Sequence, residues 1–81
     1  MSYTPDLVAE LEILRRFNLD NRLEGLKVHQ DADQAAIAAA QRLHAKGLTT
    51  QSDGGYLTSL GRDAAEHAQG LLTILSETAP A

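Results

Sequence analysis

Few residues in this 81-residue chain have the chemistry of a ligand, base or nucleophile. There are three histidines, His29, His44 and His67, and no cysteine. Separations of 15 and 23 residues leave no short histidine pair of the kind that grips a metal from one loop or helix face. His44 falls at the edge of an apolar helix face, and His67 falls between Ile74 and Leu60 on a second helical wheel. Both are expected as partly buried packing residues, and no metal or other cofactor is expected. Ser59, Asp63 and His67 are the residue types of a nucleophile, an acid and a base. They sit on one helix or at its start, however, and side chains so arranged do not converge on one substrate atom. No nucleophile elbow, phosphate loop or paired-carboxylate cleft is present, and the Gly54-Gly55 pair is accounted for by a turn. No catalytic residue is expected, and the protein is not expected to be an enzyme.

The bulk properties point to function by surface contact. The length suits one domain, taken as residues 1–81 with an ordered part of about 4–76. A chain this short buries only about 60% of its unfolded surface, so its core is thin and packing or self-association must hold it. The net charge is −4, and only residues 27–51 carry more cations than carboxylates. Such a chain does not draw in a polyanion from a distance. The absence of cysteine suits a reducing, cytoplasmic setting. Met1 to Asp6 lacks the basic region and apolar block of a secretion signal, and no apolar run approaches the roughly 20 residues of a membrane span.

Several elements can be placed from the pattern. Thr4-Pro5-Asp6 reads as a helix start, and Leu7, Val8, Leu11, Leu14 and Phe17 recur at helical spacing, so a helix is expected over about Pro5–Phe17. Leu19, Leu23 and Leu26 suggest a short second helix, followed by an extended Lys27-Val28-His29. Asp31-Ala32-Asp33-Gln34 resembles a capping box with Asp31 as the cap, opening a third helix to Lys46. Ala36, Ile37, Ala40 and Leu43 form its inner face, with Ala39 outside. Gly47 then stands where a left-handed helix terminator belongs. Leu48 to Thr58 reads as a hairpin turning at Asp53-Gly54. That register sets Thr50 opposite Leu57 and Gln51 opposite Tyr56, with Leu48, Thr50 and Leu57 inward. Thr58 caps a last helix whose inner stripe is Leu60, Ala64, Ala68, Leu71 and Leu75, broadened by Ala65, Leu72 and Ile74 to about half the circumference, and Glu77–Ala81 is expected to fray.

The fold expected is mainly α with one β-hairpin, in the order helix, helix, helix, hairpin, helix. The run QAAIAAAQRLHAKGL followed by TTQSDGGYLTSLG resembles the winged helix-turn-helix proteins of the multiple-drug-resistance-repressor type. The resemblance covers about Asp31 to Arg62. The whole chain also looks like a group of short bacterial proteins of unassigned function. The winged-helix likeness implies that residues 31–46 form a recognition helix and that Thr49–Tyr56, within the 48–58 hairpin, forms a wing. It implies that Gln34, Ala35, Ala38, Gln41 and Arg42 face the bases of double-stranded DNA. Lys27, Arg42, Lys46 and Arg62 are the implied phosphate contacts. Against this stand a wing without Lys or Arg, Asp53 at its tip, and Asp31 and Asp33 at the helix end that approaches phosphate. Binding per monomer is therefore expected to be weak.

A second function stays open. Leu11–Phe17 and Leu71–Leu75 are apolar on more than one side, wider than a thin core covers. This points to a homodimer joined by the terminal helices, with Ile13, Phe17, Leu71, Ile74 and Leu75 at the interface. On that reading the protein is a protein–protein interaction module that keeps the scaffold without binding DNA.

Overall fold

A computed structural model describes residues 2–77. The described residues form three helices and a small antiparallel sheet: α1 (Pro5–Arg15), β1 (Leu26–Lys27), α2 (Gln34–Ala45), β2 (Thr49–Gln51), β3 (Gly54–Leu57) and α3 (Ser59–Glu77). The sheet order is β1-β3-β2. The result is mainly helical with one hairpin, consistent with a winged-helix-like arrangement. Of the tail expected to fray, Glu77 is the last residue of α3, and 78–81 lie outside the described residues.

Helix α1 begins where its sequence says it should. The Thr4 side chain accepts a hydrogen bond from the Leu7 amide at 3.1 Å, and Pro5 occupies the first turn. It ends two residues early, at Arg15.

The expected second helix over Leu19–Leu26 does not form. Its leucines have helical spacing, but Asn18 and Asn21 stand among them. Asn18 Oδ1 accepts from the Asp20 amide and Asn21 Oδ1 from the Leu23 amide, each at 2.9 Å. These local turns satisfy the backbone without a helix. Leu23 consequently lies 86% exposed. The chain instead delivers Leu26 and Lys27 to the sheet, opposite Gly55 and Gly54. This is close to the extended segment expected over residues 27–29.

Helix α2 starts two residues later than its sequence suggests. Asp33, not Asp31, is the cap, accepting from the Ala35 amide at 3.3 Å, because Ala32 is held in a turn by the His29 carbonyl. Its inner face is broader than expected: Ala39 is fully buried beside Ala40 and Leu43. Helix α1 packs against α2. The C-terminus is a Schellman motif. Gly47 has φ +81°, its amide donates to the His44 carbonyl, and the Leu48 amide donates to the Leu43 carbonyl at 2.9 Å.

The hairpin forms with a different register. Thr49 faces Leu57 and Gln51 faces Gly54, with an irregularity between them, so Ser52-Asp53 forms the turn. Thr49 therefore points inward and Thr50 outward, the reverse of the expectation. The Thr50 hydroxyl accepts from the Tyr56 amide at 2.9 Å. The cause is β1. A Cβ on Gly54 would lie 3.0 Å from the Leu26 carbonyl carbon, so the glycine lets a third strand approach as well as supporting a φ of +123°.

Helix α3 is capped by Thr58, whose hydroxyl accepts from the Gly61 amide at 3.0 Å and donates to the Gly47 carbonyl at 2.6 Å. One threonine thus joins the end of α2 to the start of α3. The buried positions of α3 are Gly61, Ala65 and Ala68. The leucines of the expected inner stripe lie outside it, with Leu60 58%, Leu71 54% and Leu75 62% exposed. Close contact with the Leu48 backbone leaves no room for a side chain at Gly61. The core is completed by Ile13, Leu14 and Phe17 of the α1 region, Val28, and Leu43 of α2.

Candidate interaction surfaces

Two surfaces bear on function: the outer side of α2 with its adjoining hairpin, and the outer side of α3. On α2, Gln34, Ala35 and Gln41 are exposed, and Ala38 is half-buried. The fold leaves this face open to solvent beside the β2–β3 turn. A hollow of about 840 Å³ separates α2 from that turn, lined in part by His29, Gln41, Gln51 and Asp53.

The cations implied as phosphate contacts have carboxylate or carbonyl partners within the protomer. Arg42 Nε donates to Glu10 Oε2 at 3.0 Å, and its terminal nitrogen donates to the Asp6 carbonyl at 3.2 Å. The Lys46 ammonium donates to the other oxygen of Glu10. Helical spacing of four residues puts both cations on the side of α2 that meets α1. Lys27 lies 3.8 Å from Asp53, and Arg62 reaches both the Leu19 carbonyl and Glu66. Arg42 and Lys46 are turned to α1 and Arg62 to the Leu19 carbonyl, while Lys27 lines the same hollow as Gln41.

Glu10 is the residue that sequence reasoning passed over. It lies in the middle of α1, yet its side chain is only 7% exposed. Burial by itself raises its carboxyl pKa. The hydrogen bonds from Lys46 and Arg42, with their charges, outweigh that and hold it below the usual carboxylate value. No local signal marked it, because its partners lie 32 and 36 residues away. The cluster pins α1 to α2.

All three histidines are exposed, so the expected part-burial of His44 and His67 does not occur. Among the described residues, no group of three His, Cys, Asp or Glu is placed to hold a metal ion. No helix among them is long and apolar enough to cross a membrane.

The residues expected at a dimer interface divide. Ile13 and Phe17 are buried in the protomer's own core, at 1% and 5% exposure, and cannot meet a second chain. Leu71, Ile74 and Leu75 are exposed. From Gly70 to Glu77 every residue of α3 is exposed, and this stretch has no charged residue before Glu77. Leu60, near the start of α3, was expected inside and instead joins this outer surface.

A family model described as "Family of unknown function (DUF5669)" matches residues 1–76. The chain belongs to this family. The match agrees with the likeness to short proteins of unassigned function and names no activity. No curated protein and no solved structure matches the chain.

Proposed function

We propose that this member of the family is a non-enzymatic protein-interaction module that works as a homodimer on a winged-helix-like scaffold. The observation that carries the reading is the C-terminal half of α3, where Leu71, Leu72, Ile74 and Leu75 are between 39% and 62% exposed. A helix with large apolar residues around so much of its circumference is ordinarily covered by another surface. A symmetric pair is the commonest way for one chain to supply that cover. The intramolecular partners of Arg42, Lys46, Lys27 and Arg62 weigh in the same direction, since a phosphate must compete with each of them. Light scattering of the unmodified chain over a dilution series tests the proposal. The expected mass is that of a dimer, and Leu71→Glu is expected to give monomers. A monomeric mass for the unmodified chain at every concentration would refute it.

The second reading, weak binding of duplex DNA, is favoured by the open face of α2 beside the hairpin and by the β1-β3-β2 sheet order. Titration with random duplex at about 50 mM and about 200 mM salt separates the two. Binding at the lower salt that weakens at the higher supports the DNA reading, and no binding at the lower salt removes it.

A further inference from the structure

Along α3, Leu60, Ala64, His67, Leu71 and Ile74 recur at intervals of four, three, four and three residues. That is the spacing of a coiled-coil seam. It is not the face that α3 turns to its own core, which carries Gly61, Ala65 and Ala68. Leu60, His67, Leu71 and Ile74 are exposed, and Ala64 is half-buried at the inner edge of the seam. Leu75 stands beside them, also exposed. One helix thus carries two apolar faces, roughly a quarter-turn or more apart, and its protomer covers one of them.

We propose that the outer seam is covered by α3 of a second copy, lying antiparallel across a two-fold axis at His67. This rests on the self-association proposed above and adds its face, direction and register. Residue size favours the direction. The seam is centred on His67, with Leu60 and Ile74 seven residues away on either side. An antiparallel two-fold there sets Leu60 level with Ile74 of the second copy and Ala64 level with Gly70, one residue or about 1.5 Å from Leu71 of the second copy. Small then meets large close to that level, as close packing requires. A parallel pair would set Ala64 level with Ala64 and Leu71 level with Leu71, leaving one level empty and the other crowded.

Charge favours the same direction. Antiparallel pairing carries Glu77 to the start of the opposite α3, where Thr58 and Ser59 mark the positive end of the helix dipole. Parallel pairing would leave Glu77 beside the negative end of its neighbour. Asp63, on the flank of the seam, would lie level with Leu71 of the second copy, at the solvent rim. Between His67 and Glu77 the helix carries no charged residue, so closing the seam desolvates no ion there.

The absence of cysteine makes the test clean, because thiols can be introduced one at a time. Ala64→Cys chains and Leu71→Cys chains, one of them size-tagged, are mixed and oxidised, and the disulfide-linked species are separated by size. The mixed 64–71 link is expected to exceed either self-link by at least roughly tenfold, reflecting a high local concentration of the two thiols. Since Leu71→Cys removes apolar surface, Leu60→Cys mixed with Ile74→Cys is read in the same way, with the same expectation. Sedimentation equilibrium of the unmodified chain runs alongside. Dominant self-links, or no link in either pair from a chain of dimeric mass, would overturn the antiparallel seam and leave self-association standing. A monomeric mass would overturn both.

Discussion

Gly61→Ala is the substitution whose effect can be worked most directly from the structure. A Cβ at Gly61 would lie 2.8 Å from the Leu48 carbonyl carbon and 3.2 Å from its Cα, and closer still to the carbonyl oxygen. Ordinary carbon contacts begin at 3.4 Å, so the start of α3 must move at least about 0.6 Å from Leu48, and further to clear the oxygen. Both sides of this contact are backbone, so no side chain can rotate away. The same junction holds the Thr58 amide on the Leu48 carbonyl at 3.1 Å and the Thr58 hydroxyl on the Gly47 carbonyl at 2.6 Å. Overpacking of this kind costs about 1–3 kcal/mol, and a stretched hydrogen bond adds about 1 kcal/mol. Helix propensity returns about 1 kcal/mol for Gly→Ala. The net expectation is a loss of about 2 kcal/mol, a large fraction of the roughly 4–12 kcal/mol available to a chain of this size. Gly70→Ala is the internal control. It is the same change in the same helix, with no atom within 4 Å of the added carbon, so propensity alone should stabilise by about 1 kcal/mol. Urea unfolding followed by circular dichroism, with both variants at one protein concentration, reads the difference. A neutral or stabilising Gly61→Ala would refute the close approach of α3 to Leu48.

Other outcomes follow from the same contacts. Glu10→Gln removes the charge that Arg42 and Lys46 share and should destabilise by about 1–2 kcal/mol in urea unfolding. Because the Glu10 pKa is lower folded than unfolded, its contribution is present above the usual carboxylate range and is lost as pH falls through it. The unmodified chain should therefore lose more stability on acidification than Glu10→Gln does; equal losses would contradict the assignment. Thr58→Ala removes the cap of α3 and its tie to Gly47, and should cost about 1–2 kcal/mol by thermal unfolding. Leu75→Glu should lower the dimer affinity measured by sedimentation and leave the far-ultraviolet dichroism of the protomer unchanged, since Leu75 is 62% exposed.

Three helix ends were legible in the sequence, though the end of α1 and the start of α2 each lay two residues from their expected places. Thr4, Gly47 and Thr58 each act through local backbone hydrogen bonds that their residue types announce. Residues 18–25 misled because leucine spacing was weighed above the tendency of Asn18 and Asn21 to bond their own backbone. The hairpin register shifted because Gly54 and Gly55 pair with β1 as part of β3, and β1 comes from a distant part of the chain. The inner face of α3 was misread for a related reason. The size of Leu60, Leu71 and Leu75 points inward on sequence grounds, whereas contact with the Leu48 backbone leaves no room for a side chain at Gly61. Of the interaction surfaces, Leu71, Ile74 and Leu75 were legible as an apolar excess. The bridge from Glu10 to Arg42 and Lys46 was not, because it joins residues more than 30 positions apart that only the packed helices bring together.

The central claim is that the outer face of α3 is covered by another copy of this chain. Amide hydrogen exchange over residues 70–77, followed across a dilution series, tests it most directly. Protection in this stretch should be high in concentrated solution and fall on dilution, while amides of α2 near Leu43 keep theirs. Exchange over residues 70–77 that is the same at every concentration would contradict the account.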